Sequence, residues 1–381
     1  MARKKKADPK EKSVEVSKTK GTGKSLDWAR DALKKMGMGE HIVEMDGDRV
    51  KEPRPHITTG SIILDRQIGG PKNQHGIVVC PGWLKGGIIN LYGHESSGKT
   101  TLALTTAAAV NRAGGTVAFL DWEYAIALDY ADKIGVDADK FMLFQPNTLE
   151  QGIKFLILMT SDNPEYAVDL IILDSVSAGL PEAMVSEEEV AESKRKGLVA
   201  AKWSETLPRL KGRLAQHGTT LIGISQLRAS NFMGGGPKSG PKTQAAGGNV
   251  WKFMSDVRMK LRRVGKKTEK VLDPITNKVV EQPYGSVIRS TLEKCKVSGA
   301  MWSEAEFIIR QGYGIDNVAS AIDIMTSRGL IEKNSSWYSF ALPNGTEFKA
   351  QGSEKLRSDL LENEEAMAYV LNTAQELLYG G

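Results

Sequence analysis

One stretch constrains the fold of this 381-residue chain more than any other, the segment Gly-His-Glu-Ser-Ser-Gly-Lys-Thr at residues 93–100. It fits the pattern GxxxxGKT, follows an apolar run over residues 87–92, and opens a segment over residues 100–112 that is predicted to be helical. In this setting glycines let the backbone curl so that its N–H groups face phosphate oxygens, and the helix N-terminus adds positive potential. The sequence therefore predicts a strand, a phosphate-binding loop and a helix that together hold a nucleotide.

The residues of this loop have predicted roles at the nucleotide. Lys99 supplies a positive charge to the β- and γ-phosphates, and the Thr100 hydroxyl is the kind of oxygen ligand that Mg²⁺ prefers. ATP and Mg²⁺ are thus the expected cofactors. The predicted nucleotide-binding residues of the loop are Gly93, His94, Glu95, Ser96, Ser97, Gly98, Lys99, Thr100 and Thr101.

Short apolar runs alternate with predicted helices downstream of the loop. The runs cover residues 116–121, 170–174 and 220–225, and the helices are predicted over residues 128–134, 149–160 and 196–216. Such alternation predicts an α/β fold whose mostly parallel central sheet is covered on both faces. Because parallel sheets bind ligands at the carboxyl ends of their strands, the polar residues at those ends are candidates for the site.

Three polar residues near these strand ends are candidates for ATP hydrolysis. Asp174 ends an apolar strand, as in a Walker B element, and would lie near Mg²⁺ beside Thr100. Glu123, two residues beyond Asp121, would orient or deprotonate the attacking water, and the alternative is an exposed surface carboxylate. Gln226 would sense the γ-phosphate, although its spacing fits a solvated glutamine equally well.

The N-terminal part of the chain predicts two small units. Residues 1–24 carry nine basic and three acidic side chains, a net charge of +6 within a chain of net charge +5. They predict a disordered basic tail that is either simply solvated or holds nucleic acid weakly. Residues 25–56 predict an oligomerisation arm with a helix over 28–36 and a strand over 41–45, which packs on its own core or on a neighbouring chain.

The core is predicted to span residues 57–315, where alternating polar and apolar residues after Lys252 predict antiparallel strands that extend the sheet. Residues 316–381 predict a small α/β C-terminal domain. No run of about 18 apolar residues occurs, so no membrane span is expected. The two cysteines, Cys80 and Cys295, form no CxxC pair, which favours a reducing, cytoplasmic setting.

Taken together, these motifs resemble those of the RecA recombinase family. The resemblance runs from about Ile57 to Tyr338 and rests on short matches in the same order. They are Thr59-Gly-Ser61, Leu64-Asp65, the loop at 93–100, Phe-x-Asp-x-Glu at 119–123, Gly135-Val-Asp137, Gln145-Pro146, Asp174-Ser-Val176, Gly247-Gly-Asn249, Lys252-Phe253 and Trp337-Tyr-Ser339.

This resemblance implies a RecA-like P-loop ATPase core and a DNA-dependent ATPase. It implies helical filaments on single-stranded DNA that drive pairing and strand exchange with homologous double-stranded DNA in recombination and repair. It also implies a cytoplasmic protein, associated with the nucleoid or present in an infected bacterial cell.

The resemblance also implies roles that spacing alone leaves open. Lys294 and Lys296 would reach ATP bound to the neighbouring protomer, whereas the sequence by itself slightly favours an exposed strand face. Tyr130 matches a residue that stacks on adenine. Gln226 would couple the γ-phosphate to a DNA-binding loop.

Two DNA-binding loops are implied, the first over about residues 184–196 and the second over about residues 227–247. Stretching DNA requires apolar wedges between bases, whereas phosphate contacts require cations and backbone N–H groups. Phe232 and Met233 are the candidate wedges. The predicted DNA-contacting residues are Lys202, which replaces a family arginine, Arg209, Arg228, Phe232, Met233, Gly247, Gly248 and Asn249.

Several positions depart from the family pattern. Ala127 stands where the family has an adenine-contacting aspartate, Tyr124 replaces a histidine, and Lys196 replaces an apolar residue. Extra residues lie within 69–83 and 265–285. These departures indicate a divergent branch of the family, such as a phage-encoded one.

Two other classes of function stay open at this point. One is a ring-forming, hexameric, helicase-like DNA motor of the same fold, and the other is an assembly protein that uses nucleotide only as a switch. The N-terminal arm and the pair Lys294 and Lys296 favour the filament over the ring. The presence of Lys99, Asp174 and Glu123 argues against a protein without ATPase activity.

Overall fold

A computed structural model of the chain describes residues 27–39, 51–161, 163–185, 192–229, 243–245, 248–272, 277–301 and 303–380. The chain divides into two units, residues 1–50 and residues 51–381. The tail predicted over 1–24 and the strand predicted over 41–45 lie outside the described residues, as do Phe232, Met233 and Gly247.

Helices and strands alternate through the described part of the second unit, whereas the described residues of the first unit, 27–39, contribute one helix. The helices are α1 (Asp27–Lys35), α2 (Ile62–Gly69), α3 (Lys99–Arg112), α4 (Leu128–Ile134), α5 (Leu149–Met159), α6 (Glu192–His217), α7 (Asn249–Met254), α8 (Asn317–Ser327), α9 (Ser353–Leu361) and α10 (Glu364–Gly380). The strands are β1 (His56–Ile57), β2 (Trp83–Leu84), β3 (Ile88–Gly93), β4 (Val117–Asp121), β5 (Phe141–Phe144), β6 (Leu170–Asp174), β7 (Thr220–Ala229), β8 (Thr243–Ala245), β9 (Val257–Leu272), β10 (Val279–Cys295), β11 (Ser303–Arg310), β12 (Gly314–Ile315), β13 (Glu332–Asn334), β14 (Trp337–Ala341) and β15 (Glu347–Gln351). None of these helices is both long and apolar enough to cross a lipid bilayer.

The first unit is described through α1, which agrees with the predicted N-terminal helix to within one residue at each end. Asp27 at its start pairs with Arg30 at 3.1 Å, and lysines lie in its last turn, an arrangement that suits the helix dipole. None of its residues is buried, and Trp28 is 71 % exposed. The helix therefore keeps large apolar side chains at its surface.

The second unit is built on one large sheet with the strand order β12-β11-β10-β9-β3-β7-β6-β4-β5. Strands β5, β4, β6, β7, β3 and β9 run parallel, and β10, β11 and β12 extend them as antiparallel strands. Strands β3, β4 and β6 are buried along their whole length, as expected for parallel strands covered on both faces. The predicted α/β class, a mostly parallel sheet extended by antiparallel strands, is confirmed.

Apolar clusters pack on both faces of this sheet. One cluster joins the sheet to α2, α3 and α4, and the other joins it to α5, α6 and α7. Ile88 and Ile89, successive residues of β3, belong to different clusters, as the alternation of side chains along a strand requires. The carboxyl ends of the strands are therefore held between two layers of helices.

Two parts of the sheet differ from the sequence prediction. Strands β9 and β10 pair from Val257 with Cys295 to Leu272 with Val279, so both extend beyond the predicted strands. Much of this added ribbon is polar on both faces, which hides the alternation that predicts a strand. The sequence analysis also misses β5, because a run of four residues is too short to show a period.

Residues beyond β12 form an apolar cluster of their own. It joins α8, α9 and α10 to the small sheet β13-β14-β15, with Phe340 and Leu356 among its buried members. A charged network ties this part to the core, because Arg310 of β11 donates to Asp316 at 3.0 Å and to Glu354 of α9. The domain limits given by the sequence analysis stay predictions.

Candidate active site

The phosphate-binding loop joins β3 to α3 at the carboxyl edge of the sheet. Strand β3 ends at Gly93, α3 begins at Lys99, and Gly98 has a φ of +86°, which favours glycine. A side chain at Gly93 would place its Cβ 2.3 Å from the carbonyl oxygen of Leu261 and 2.6 Å from Ser97 Oγ. The motif therefore requires glycine at Gly98 for its backbone conformation and at Gly93 for the close packing around the loop.

Lys99 folds back over this loop. Its Nζ donates to the carbonyl oxygen of His94 at 2.7 Å and to Ser97 Oγ at 3.4 Å, and the residue is 7 % exposed. Burial lowers the pKa of Lys99, while the carboxylates of Asp174 and Glu123 oppose that shift. A buried cation thus faces the loop that the motif assigns to phosphates.

Thr100 and Asp174 meet beside the loop. Thr100 Oγ1 donates to Asp174 Oδ2 at 2.6 Å. Burial raises the pKa of Asp174 to about 6, although the hydrogen bond from Thr100 opposes the rise. The negative charges of Glu123 and Asp121 add to it. A divalent cation at this point would favour the charged carboxylate.

The oxygen donors at this point fit Mg²⁺. A hydroxyl and a carboxylate oxygen 2.6 Å apart are hard ligands of the kind this cation prefers. In the described part of the chain, no group of three His, Cys, Asp or Glu side chains could hold a metal ion. Mg²⁺ usually keeps several waters and takes other ligands from the phosphates of a substrate.

The chain turns after β4, and Asp121 holds the turn. This carboxylate is 1 % exposed, and it accepts from the backbone N–H of Glu123 at 3.0 Å and from Gln145 Nε2 at 3.1 Å. The backbone N–H of Trp122 donates to the carbonyl oxygen of Asp174 at 2.9 Å, which ties the turn to β6. The exposed Glu123 side chain therefore stands on a backbone that is fixed on two sides.

Glu123 and Gln226 meet in the same region. Gln226 Nε2 donates to Glu123 Oε1 at 2.8 Å. Gln226 is opposite Gly93 in the parallel pairing of β7 with β3, so it is level with the start of the phosphate-binding loop. Two residues predicted from separate strand ends are thus in direct contact.

Tyr130 and Ala127, the two positions that the family resemblance places at the adenine base, lie on or next to α4. Tyr130 OH is 3.2 Å from Thr101 Oγ1, and Tyr130 packs against the apolar cluster around α3. Ala127 precedes α4 without a side-chain hydrogen bond to the helix. Tyr124 has a φ of +54°, and its OH donates to Asn147 Oδ1 at 3.1 Å. The structure therefore brings Tyr130 into contact with the helix that opens from the loop.

Lys294 and Lys296 lie toward the opposite edge of the sheet from the loop. In the strand pairing, Ser290 of β10 is level with Gly93, whereas Lys294 is level with Asn90 near the start of β3. The two levels are three residues apart along the strand, about 10 Å. The lysine pair and the loop of one chain are therefore separated along the sheet.

Lys294 is held at the end of α7. Its Nζ donates to the carbonyl oxygens of Lys252 at 2.9 Å and Phe253 at 2.8 Å. Carbonyl groups at a helix C-terminus carry partial negative charge and attract a cation. Burial lowers the pKa of Lys294, and the positive charge of Lys296 lowers it further. The two lysines thus form a compact cationic pair.

The predicted DNA-contacting residues on α6 share one groove. Lys202 Nζ lies 3.4 Å from Glu150, and Arg209 Nη2 lies 2.9 Å from Glu205. Both cations line a groove of about 470 Å³ between α5 and α6. The structure therefore brings these two predicted residues to one surface, each paired with a carboxylate.

The other described DNA-contacting candidates border the second predicted loop. Arg228 pairs through its backbone with Gln244 of β8. Gly248 precedes α7 with a φ of +89°, and a Cβ there would lie 2.9 Å from the Cβ of Ala200 on α6. Asn249 is the first residue of α7. The two ends of the second loop are thus β7 and α7.

Comparison with known proteins decides the family. Residues 24–316 match the model of the RecA N-terminal domain. The chain belongs to the RecA family. A Protein RecA from Fusobacterium nucleatum is 35 % identical over 378 residues, which cover 98 % of this chain and 91 % of that protein. A Protein RecA from Mycobacteroides abscessus is 37 % identical over 341 residues, which cover 89 % of this chain and 88 % of that protein. Among solved structures, the crystal structure of the RadB recombinase matches with a TM-score of 0.47 and 19 % identity over 68 % of this chain and 98 % of that one.

Membership of the RecA family confirms the predicted class of function. The chain is an ATP-dependent recombinase of DNA repair and recombination, and its enzymatic activity is that of a DNA-dependent ATPase. It therefore binds nucleotide and DNA. The roles of individual side chains stay predictions and are taken up as proposals below.

Asp121 is the residue of this RecA-family site to which the sequence analysis assigns no role. It appears there only within the pattern Phe-x-Asp-x-Glu, as the last residue of an apolar strand. The structure shows that it is buried and that it fixes the backbone of Glu123. A carboxylate at the end of a buried strand, two residues before a catalytic candidate, is the signal that could have indicated a positioning role.

Proposed function

We propose that this RecA-family chain binds ATP and Mg²⁺ at the loop of residues 93–100 and forms a helical filament on single-stranded DNA. The filament catalyses pairing and strand exchange with homologous double-stranded DNA. The observation that carries the proposal is the 2.8 Å hydrogen bond from Gln226 to Glu123 beside this loop. It joins a candidate base to an amide on β7, the strand that leads into the second predicted DNA-binding loop. Hydrolysis and DNA binding thereby share one pair of side chains.

Hydrolysis requires a water molecule in line with the γ-phosphate and a group that accepts its proton. Glu123 accepts that proton, because its carboxylate is exposed at the carboxyl edge of the sheet on a turn that Asp121 fixes. Lys99 stabilises the negative charge that develops on the phosphate oxygens. Thr100 and Asp174 would hold Mg²⁺, which would supply further positive charge for the β- and γ-phosphates.

Gln226 links the nucleotide to DNA binding in this proposal. Its amide carries two N–H donors, one of which it gives to Glu123. The γ-phosphate offers charged acceptors, which form stronger hydrogen bonds than neutral ones. A Gln226 side chain that turns to this phosphate displaces the end of β7, whose pairing with β8 lies within the second predicted DNA loop. ATP binding and DNA binding therefore favour each other.

Lys294 and Lys296 complete the site of a neighbouring protomer. They lie toward the amino edge of the parallel strands, whereas the loop of the same chain lies at the carboxyl edge. A head-to-tail contact brings the amino edge of one copy against the carboxyl edge of the next. The lysines then reach the γ-phosphate from the adjacent chain, so rapid hydrolysis requires assembly.

The first test is the variant Glu123→Gln. Glutamine keeps the size of the side chain but does not accept the proton of water, so we expect near-normal ATP binding and a DNA-dependent turnover about 10²–10⁴-fold lower. Turnover is measured as phosphate release with saturating single-stranded DNA. Glu332→Gln, an exposed residue of β13, is the matched control and keeps wild-type turnover. Undiminished turnover in Glu123→Gln would remove the proposed role of this carboxylate.

Strand exchange is tested in the same preparation. A circular single strand and a homologous linear duplex are expected to give joint molecules with ATP, and a heterologous duplex to give none. Joint molecules that form equally well from heterologous DNA, or none from homologous DNA, would contradict the proposed pairing activity.

A further inference from the structure

Trp122, Trp203 and Trp251 pack edge to face in a row beside the turn that carries Glu123, and this row of three rings is called the tryptophan stack below. Trp122 meets Trp203 edge to face, with ring centroids 6.2 Å apart and planes at 86°. Trp203 meets Trp251 in the same manner at 5.2 Å and 71°. Each is at most 7 % exposed. Such pairs are favourable beyond their burial alone, so the stack is a single packed unit.

The surrounding backbone makes room for these indoles. A Cβ at Gly152 of α5 would lie 2.1 Å from Trp122, and a Cβ at Gly223 of β7 would lie 2.3 Å from Trp251. Glycine within a helix or a strand is destabilising relative to residues with a side chain. Its presence at both positions is explained by the ring that fills the space. Helix α5 and strand β7 thus leave space for the tryptophan rings.

Hydrogen bonds attach the stack to the end of β6. Trp203 Nε1 donates to the carbonyl oxygen of Val176 at 2.7 Å. The backbone N–H of Trp122 donates to the carbonyl oxygen of Asp174 at 2.9 Å, and its Nε1 donates to that of Thr148 at 3.3 Å. Both the backbone and the ring of Trp122 are therefore held by hydrogen bonds.

The three rings belong to segments with different roles. Trp122 directly precedes Glu123 in the turn after β4. Trp203 lies on α6, which begins at Glu192 within the first predicted DNA loop. Trp251 is the third residue of α7, which directly follows the second predicted DNA loop. One packed cluster thus touches the candidate catalytic turn and both helices that follow the DNA loops.

We propose that Trp122, Trp203 and Trp251 position Glu123 according to the placement of α6 and α7, so that DNA binding raises ATP turnover at this carboxylate. This rests on the proposed function, in which Glu123 activates water and both loops bind DNA. Close-packed rings pass on a shift of one helix rather than absorb it. A displacement of α6 or α7 therefore moves the Trp122 ring and the adjoining turn.

The test uses Trp203→Phe and Trp251→Phe, alone and combined, in the full chain. Phenylalanine keeps the core apolar but is smaller than tryptophan, so it weakens the contact of Trp203 with Trp122 or with Trp251. We expect ATP affinity and turnover without DNA to stay within about twofold of wild type, and the stimulation of turnover by saturating single-stranded DNA to fall about tenfold. The double variant falls no further than the worse single variant, because both act through one stack.

Matched variants separate positioning from loss of stability. Trp83→Phe also removes a fully buried indole, but on the opposite face of the sheet, and keeps wild-type stimulation. Gly152→Ala keeps all three tryptophans in the sequence, but its methyl group would lie 2.1 Å from Trp122 and displace that ring, so it lowers the stimulation. Its control is Gly212→Ala on α6, where an added Cβ meets nothing within 4 Å.

The outcomes distinguish this inference from the function on which it rests. Wild-type stimulation in Trp203→Phe and Trp251→Phe, beside an inactive Glu123→Gln, overturns the positioning role alone. A fall no larger than that of Trp83→Phe does the same. Full turnover in Glu123→Gln overturns the proposed function and this inference together.

Discussion

At the scale of single residues, Asp65 shows how burial sets the charge of a carboxyl group. It lies on α2, is 6 % exposed, and accepts from the backbone N–H of Thr59 at 2.7 Å and from the Thr58 hydroxyl. Burial still raises the pKa of Asp65 from 3.8 to about 6, because the loss of water disfavours the charged form more than these hydrogen bonds favour it. The folded chain therefore binds this proton more tightly than the unfolded chain.

A pH dependence of stability follows from the raised pKa of Asp65. Its protonation stabilises the fold fully below pH 3.8, and this contribution is lost as the pH rises toward about 6. We expect the free energy of unfolding of the wild type, relative to Asp65→Asn, to fall by about 2 kcal/mol between about pH 4 and about pH 7. Urea unfolding of both proteins at the two pH values measures the difference. A difference that does not change with pH would show that Asp65 titrates in its ordinary range.

The predictability of the site differs from residue to residue for a physical reason. Lys99 and Thr100 were predictable because phosphate and Mg²⁺ chemistry fixes both the residue types and their spacing. Gln226 and Glu123 were predictable only as separate candidates, since a contact between residues 103 positions apart depends on the order of the strands. Asp121 acts on the backbone of Glu123 rather than on a ligand, so its position at the end of a buried strand could suggest a positioning role but could not show which hydrogen bond it makes.

At the scale of elements, strands buried on both faces were the predictable ones. Strands β3, β4 and β6 are almost entirely apolar, and the positions of their ends follow from their polar neighbours. The far part of the β9-β10 ribbon was not predictable, because its cross-strand hydrogen bonds form without an apolar face. The order of the strands was not predictable either, since it depends on contacts distant in the sequence.

Lys294 and Lys296 lie at the end of strand β10, toward the amino edge of the sheet, away from the phosphate-binding loop of the same chain. This separation supports an ATP site that two chains complete. A mixing experiment tests this division. Lys99→Ala lacks the charge of its own loop but presents both lysines to a neighbour. The double variant Lys294→Ala/Lys296→Ala has an intact loop but presents no lysine.

We expect each of these two proteins alone to hydrolyse ATP at least about 10²-fold more slowly than wild type with single-stranded DNA. An equimolar mixture should recover up to about a quarter of the wild-type rate, because a quarter of random neighbour pairs join an intact loop to intact lysines. Lys99→Ala mixed with Glu123→Gln is the control without recovery, since both changes lie on the loop side. No recovery in the first mixture would mean that the lysines do not act across the contact.

At the scale of the whole molecule, the phosphate-binding loop and the lysine pair lie at different levels of one sheet. A contact that joins the loop of one copy to the lysines of the next is head to tail, so every added copy exposes the same pair of surfaces again. Such a contact closes into a ring or continues as a helix, depending on the rotation between copies.

Charge bears on DNA binding. Residues 1–24 carry a net charge of +6 and the whole chain carries +5, so the other 357 residues carry −1. We expect DNA binding by that nearly neutral part to depend on individually placed cations, for which Lys202 and Arg209 are the proposed candidates.

Electron microscopy with single-stranded DNA and a non-hydrolysable ATP analogue distinguishes the filament from the ring-forming motor. We expect helical filaments whose length follows that of the DNA, because a strand of any length must be covered by copies joined head to tail. Lys294→Ala/Lys296→Ala should lose them, since the nucleotide then no longer bridges two chains, whereas Lys278→Ala, an exposed lysine at the start of the same ribbon strand, should keep them. Closed rings of constant subunit number on DNA of every length would instead support the hexameric motor, because a closing rotation fixes the number of copies whatever the length of the strand.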